Sequence, residues 1–161
     1  MESTRFSPHR RLGLMAQGGL LFGLGLVVGL FFTFVIVGRV EIWPVLPAID
    51  WTVPGTEAAW RRAHLGLMFN AVTLLVFAVI ASALSFSVGQ QRVYGWSVAI
   101  TAWGNSAGFL LAALTGTRGL AMGSGVGNSL TYLCFLAAAL TAFVQVWLLV
   151  AGALRARREL S

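Results

Sequence analysis

Side chains that could do chemistry are few, and most lie within four long apolar stretches of the sequence. They comprise one histidine, three asparagines, two threonines and one glutamine: His64, Asn70, Thr101, Asn105, Asn128, Thr131 and Gln145. Because a polar group inside a bilayer is costly, each is a candidate for pairing or for function. No Asp, Glu, Lys or Arg lies deep in any stretch, which argues against a proton-coupled transporter or a charged channel. The pattern favours an uncharged ligand, or a cofactor that brings its own charge.

His64 offers the most specific chemistry, because a neutral imidazole can bind a metal ion or haem iron. Arg61 and Arg62 precede it within one helical turn, and Arg118 is predicted on the same side, so these guanidinium groups could bind haem propionates. Alternatively, His64 is a hydrogen-bonded residue at the membrane interface and the arginines bind lipid phosphate. The other histidine, His9, is predicted about 30 Å away, across the bilayer. Met122 in the third loop is the remaining candidate for a second iron ligand, and a weak one. A bound iron should therefore keep an open position, as Lewis-acid catalysis requires.

Four apolar stretches must position these residues. A hydrocarbon core of roughly 30 Å needs about 20 apolar helical residues, and the qualifying segments are approximately 12–38, 63–86, 93–115 and 128–153. Hydrophobic residues make up 58% of the chain and charged residues 10%, with a mean hydropathy of +0.84. This leaves too little polar surface for a water-soluble globule. We predict an all-α, integral membrane four-helix bundle, with residues 1–161 forming a single transmembrane domain.

The distribution of positive charge predicts the orientation. All eleven basic residues are arginine, with seven in the two tails and the second loop and four in the first and third loops. Since positive loops stay inside, we expect both termini to be cytoplasmic. The charges do not form a basic face, which favours membrane lipids as partners and argues against nucleic acid. The single cysteine, Cys134, provides neither a disulfide nor a cysteine metal cluster.

The loops are unequal, and the first has the composition of a structured segment. Residues 39–62 contain three prolines and three tryptophans. Prolines restrict the backbone and tryptophans anchor at the headgroup level, so we expect this loop to fold over the outer end of the bundle. Within it, Thr56 is placed to cap a helix whose first turn contains Glu57. The third loop, residues 116–127, is glycine-rich, which allows its backbone to approach another surface closely.

Glycines recur at spacings of four in the first and third spans. The pairs are Gly19 with Gly23, Gly25 with Gly29, and Gly104 with Gly108. Small residues at this spacing let helices pack closely, either within one chain or between chains. Both possibilities remain open.

Several motifs between residues 40 and 125 are specific. The longest is Val53-Pro54-Gly55-x-Glu57-x2-Trp60-x-Arg62-Ala63-His64-x-Gly66-x3-Asn70. The others are Val40-Glu41-Ile42-x-Pro44, Trp103-x-Asn105 and Arg118-Gly119-Leu120-x2-Gly123. Together with the length and the four-span layout, they closely resemble the styrene oxide isomerase family, and the likeness covers most of the chain.

The resemblance implies a trimer in the cell inner (cytoplasmic) membrane that binds ferric haem b at contacts between subunits. Such enzymes isomerise small lipophilic epoxides, aryl epoxides in particular, to aldehydes. One histidine ligates the iron, and by motif it corresponds to His64. The iron would polarise the epoxide as a Lewis acid, after which the ring opens at the benzylic carbon and a hydride moves from the adjacent carbon.

The same resemblance assigns roles to other residues. Asn70 would donate a hydrogen bond to the developing oxyanion or orient the substrate. Trp103 and Asn105 would lie beside the haem and substrate, where an aromatic face can stabilise a cation, and Arg61, Arg62 and Arg118 would hold the propionates. Thr101 and Phe109 occupy the catalytic positions at which the family pattern has an Asp and a Tyr.

Two other interpretations remain open. The chain could be a membrane haem-binding protein without epoxide chemistry, acting in sensing, haem handling or electron transfer. It could also be a structural or transport bundle without a cofactor, in which His64 and Asn70 merely tie helices together.

Overall fold

The computed structural model describes residues 4–161, except for the side chains of Thr4 and Ile42. This part of the chain contains four long helices: α1 (Pro8–Val37), α2 (Glu57–Ile80), α3 (Val88–Thr115) and α4 (Val126–Glu159). Each is long and apolar enough to cross a membrane. The chain is therefore a multi-pass membrane protein, and the prediction of an all-α four-helix bundle is confirmed.

Helix α2 differs most from its predicted span. It begins at Glu57, where the side chain of Thr56 accepts a hydrogen bond from the backbone N–H of Ala59 at 3.3 Å, which confirms the predicted cap. It ends at Ile80, six residues before the predicted end, because a 3₁₀ turn and the strand Ser85–Phe86 follow. Hydropathy does not reveal this end, since the turn and the strand are themselves largely apolar.

The helices pack in sequence order, with α1 on α2, α2 on α3 and α3 on α4. Gly25 and Gly29 face α2, and a Cβ added at Gly25 would lie 2.7 Å from the sulfur of Met68. Gly104 and Gly108 likewise face α4. These two glycine pairs therefore serve packing within the chain. Gly19 and Gly23 have no neighbouring atoms within 4 Å at the Cβ position and take no part in it.

The described residues also contain four short strands: β1 (Thr4–Arg5), β2 (Arg39–Ile42), β3 (Leu46–Asp50) and β4 (Ser85–Phe86). The antiparallel pair β1 and β4 joins the N-terminal segment to the connection between α2 and α3. The hydroxyl of Ser85 also donates to Oε2 of Glu159 near the end of α4, at 2.6 Å. Both ends of the described chain therefore lie at one end of the bundle, while the side of the membrane to which they belong stays a prediction.

The first loop only partly matches the expectation that it folds over the bundle. Its first half is an antiparallel hairpin of β2 and β3, in which Trp43 is 88% exposed. Its second half does return to the helices, since Val53 is buried and the indole N–H of Trp60 donates to the carbonyl of Pro54 at 2.9 Å. The sequence did not reveal the hairpin because prolines and tryptophans mask the alternation typical of strands.

Candidate functional site

An apolar groove of about 820 Å³ opens between α1, α2 and α3. It is lined by Phe22, Arg62, Leu65, Gly66, Met68, Phe69, Asn70, Val72, Asn105 and Phe109. The polar lining consists of one guanidinium group and two amides. A groove of this shape suits a lipophilic ligand that needs a few oriented hydrogen bonds.

Close helix packing shapes one wall of the groove. The ring of Phe109 on α3 lies directly against Gly66 on α2, where an added Cβ would sit 2.5 Å from the ring. Only glycine permits this approach without displacing the ring. The wall therefore depends on a glycine that belongs to the motif between residues 53 and 70.

Asn70 is the buried amide of the groove. Asn70 is 8% exposed, and its Nδ2 donates a hydrogen bond to the hydroxyl of Ser106 at 3.1 Å. An amide nitrogen carries two hydrogens, so one is left for a ligand oxygen. The bond to Ser106 fixes the direction in which that hydrogen points.

Ser106 is the residue that sequence reasoning missed. It is 2% exposed and its hydroxyl holds Asn70 across the interface between α2 and α3. The signal was available, because Ser106 follows Asn105 directly and is a further polar residue in an apolar span.

His64 lies half-buried between α1 and α2. Its Nδ1 lies 3.0 Å from the backbone carbonyl oxygen of Gly25. Because a carbonyl only accepts, Nδ1 carries the proton and the lone pair of the neutral ring lies on Nε2. The ring stacks on Phe32, with centroids 6.3 Å apart, and passes so close to Gly29 that an added Cβ would lie 2.9 Å from it.

This environment suits a metal-binding imidazole, since such rings usually donate their second N–H to a carbonyl or carboxylate. His64 does not itself line the groove, but Met68, one turn further along α2, does. Within residues 4–161, no cluster of three or more His, Cys, Asp or Glu side chains is placed to hold a bare metal ion.

The three predicted arginines are not equivalent. Arg62 and Arg118 line a second cavity of about 290 Å³, which shares Arg62 and Phe109 with the groove. Arg61 instead forms an ion pair with Glu57 one turn earlier on α2. Two guanidinium groups thus lie beside this second cavity, and such groups can bind propionates. His64 lines neither the groove nor the second cavity, because its ring packs against α1. Within one chain, the imidazole and the two arginines therefore do not share one space.

The third loop is built around Asn128. The side-chain oxygen of Asn128 accepts from the backbone N–H of Gly119 at 3.0 Å, and its Nδ2 donates to the carbonyls of Ala121 and Gly123, both at 2.7 Å. This amide therefore has a structural role. It fixes the loop that carries Arg118.

Two further sequence candidates lie outside the groove. The hydroxyl of Thr101 pairs with that of Thr141 on α4, at 2.9 Å. The indole N–H of Trp103 donates to Oε1 of Gln17 on α1, at 3.2 Å. The structure thus brings together Arg62, Asn70, Asn105 and Phe109, and places Thr101 and Trp103 elsewhere in the bundle.

Comparisons with known proteins match most of this chain. Residues 10–154 match the family model of styrene oxide isomerase. A curated relative, the styrene-oxide isomerase of Pseudomonas fluorescens, is 30% identical over 110 residues, which is 68% of this chain. The aligned region spans 61% of the length of that relative. The chain belongs to the styrene oxide isomerase family.

Proposed function

We propose that this protein isomerises small lipophilic epoxides, aryl epoxides in particular, to aldehydes within the groove. The observation that carries the proposal is a buried amide, Asn70, that lines the same apolar space as the ring of Phe109, among helices long enough to span a membrane. Family membership supports the same chemistry, since the matched relative is named for styrene oxide. The groove also suits a substrate that reaches it from the lipid.

The proposed reaction is an internal rearrangement. The C–O bond at the benzylic carbon breaks, a hydride moves from the oxygen-bearing carbon to the benzylic carbon, and the carbonyl forms. Atoms and electrons balance without water, a reductant or an oxidant. The protein must therefore favour ring opening, stabilise a transient cation and exclude water.

Asn70 would act on the oxygen. As the ring opens, negative charge grows on the epoxide oxygen, and the free hydrogen of the Asn70 amide can donate to it. Because Ser106 already holds the amide at 3.1 Å, little reorientation is needed when the charge develops. Such preorganised donors stabilise a transition state more than a ground state.

The aromatic wall of the groove would stabilise the positive charge that develops on the benzylic carbon. Phe22, Phe69 and Phe109 present rings to the bound substrate, and aromatic faces attract a positive charge. The same apolar wall keeps water away from the cation, which would otherwise be trapped as a diol.

A haem b would be held by Nε2 of His64, with Arg62 and Arg118 as the guanidinium groups for its propionates. Because Arg62 and His64 lie on different faces of α2, one haem would reach both His64 and these arginines only at a contact between subunits. The chemistry that ferric haem would supply when bound is Lewis-acid polarisation of the epoxide C–O bond. The bond from Nδ1 to Gly25 supports this assignment, because it leaves the lone pair on Nε2. We extend the proposal to a trimer in the cytoplasmic membrane with both termini inside.

A second candidate, a haem-binding protein without epoxide chemistry, is favoured by one observation. Phe109 supplies no phenol to the groove and Thr101 lies outside it, so the polar lining is limited to one guanidinium group and two amides. Incubation of styrene oxide with purified protein in lipid nanodiscs separates the two. Phenylacetaldehyde is the expected product, whereas a haem-containing sample that converts no aryl or alkyl epoxide would refute isomerisation and leave the second candidate.

A further inference from the structure

A third, much smaller cavity lies inside the bundle between α2, α3 and α4. Its volume is about 10 Å³, close to the space that one water molecule needs. Four of its eight lining residues carry polar side chains: Asn70, Thr73, Thr101 and Gln145. These residues lie well inside their helices, where polar groups are costly unless they have partners.

Gln145 contributes a buried polar atom to this cavity that has no hydrogen-bond partner among the described residues. It is 4% exposed, and its buried side-chain oxygen accepts no hydrogen bond from any described residue. A buried amide oxygen has lost its hydration, and the surrounding lipid offers no substitute. The oxygen therefore requires a donor that the neighbouring side chains do not provide directly.

The chemistry of the lining restricts what that donor can be. No charged side chain among residues 4–161 lines the cavity, so an ion would be uncompensated there. The volume excludes anything larger than a single small molecule. Buried waters are typically held by two to four polar groups, and this cavity offers four.

We propose that this cavity binds one water molecule, which donates a hydrogen bond to the side-chain oxygen of Gln145. The hydroxyls of Thr73 and Thr101 are the groups that can donate to or accept from the same water. The site joins three helices through one solvent molecule, near the middle of the bundle.

The site has a consequence for Asn70, which lines both this cavity and the groove. Ser106 holds the amide nitrogen of Asn70 from α3. The water, held on Gln145 of α4, can donate its second hydrogen to the side-chain oxygen of Asn70, which leaves the free amide hydrogen for the ligand. Gln145 is then a positioning residue that acts on Asn70 through water. This step rests on the proposed function, whereas the water site itself does not.

Radiolytic hydroxyl-radical footprinting tests the water site without reference to activity, because radicals formed from bound water label adjacent side chains. Phe77 lines the cavity and serves as the reporter. We expect Phe77 to be oxidised in the wild-type protein in nanodiscs and its oxidation to fall severalfold in Gln145→Leu. Gln145→Asn, which keeps an amide, should retain part of the labelling.

Ser129→Ala is the matched control, since it removes a polar group of α4 that bonds only to the carbonyl of Gly125 in its own helix. Phe77 labelling should be unchanged in this variant. Should Gln145→Leu fail to assemble, Thr73→Val replaces it with the same expectation. An unlabelled Phe77 in the wild type, or equal labelling in wild type and Gln145→Leu, would overturn the water site.

Steady-state kinetics then test the positioning role. Gln145→Leu should lower kcat roughly fivefold, as expected for the loss of one hydrogen bond, with KM nearly unchanged. An unaltered kcat together with lost Phe77 labelling would overturn the positioning role and leave the water site standing. If the wild type shows no isomerase activity, the proposed function fails while the footprinting result still decides the water site.

Discussion

The carbonyl oxygen of Gly25 determines which nitrogen of His64 is available. Since that oxygen only accepts, it retains the proton on Nδ1 and leaves the lone pair on Nε2. A single backbone contact thus sets both the tautomer and the direction of the ring. The same logic applies to Asn70, because the hydroxyl of Ser106 fixes one amide hydrogen and leaves the other for a ligand.

His64→Ala should abolish haem binding, because no other imidazole lies between α1 and α2. The measurement is the Soret absorbance of purified protein from haem-sufficient cells. His9→Ala is the matched control, since His9 is the other histidine and lies exposed at the start of α1, and it should keep the band. An intact Soret band in His64→Ala would rule out the assigned ligand.

Asn70→Ala should lower kcat by about tenfold to a hundredfold, because a preorganised donor acts mainly on the transition state. Haem content should be largely retained. Ser106→Ala leaves the amide in place but unrestrained, and should cost less, about fivefold. Kinetics with styrene oxide on both variants check the order, and a larger loss in Ser106→Ala would mean that the serine itself touches substrate.

Arg62→Ala should weaken haem retention more than Arg61→Ala. Arg62 lines the groove and the second cavity, whereas Arg61 is paired with Glu57 on the surface. Because Arg62 is exposed, we expect an effect of about 1 kcal/mol or less, up to roughly fivefold in Kd. Haem titration of the apo protein measures the difference, and equal losses in the two variants would contradict the assigned propionate contact.

At the scale of elements, glycines decide how closely α1 approaches α2. Gly25 and Gly29 allow the backbone of α1 to meet Met68 and His64. Glycine spacing in the sequence indicated close packing, but it did not distinguish these residues from Gly19 and Gly23, which share the spacing and face open space. The two pairs lie on different faces of α1, and which face is packed depends on where α2 lies.

Gly29→Ala should displace the imidazole of His64, since the added Cβ would lie 2.9 Å from its ring. Overpacking of this kind costs about 1–3 kcal/mol. We expect reduced Soret absorbance and a lower Tm. Gly13→Ala adds the same methyl group on the same helix, where no atom lies within 4 Å, and should change neither. Unchanged haem binding in Gly29→Ala would contradict the assignment of the His64 ring, which packs against Gly29, as the iron ligand.

The sequence predicted the helices better than it predicted the contacts between side chains. The four helices follow from runs of about 20 apolar residues, and the cap at Thr56 follows from the residue types around it. The direction of Thr101 was not predictable, because its preference for Thr141 depends on how α3 meets α4. The same holds for Arg61 and Arg62, adjacent residues on α2. Arg61 pairs with Glu57, whereas Arg62 lines the second cavity.

At the scale of the whole molecule, the bundle places its candidate chemistry inside the membrane. The groove opens among apolar side chains, so the proposed substrate, a lipophilic epoxide, would enter from the lipid and meet little water. The central claim is that the substrate rearranges internally in this apolar space. Neither hydrolysis nor exchange of the migrating hydrogen with solvent should then occur.

Isotope tracing tests that claim most directly. Purified protein in nanodiscs is given styrene oxide that carries two deuterium atoms on its terminal carbon, and the product is examined by mass spectrometry and NMR. The account predicts phenylacetaldehyde with one deuterium on the aldehyde carbon and one on the adjacent carbon. A diol, an aldehyde that has lost deuterium to water, or no conversion at all would contradict it.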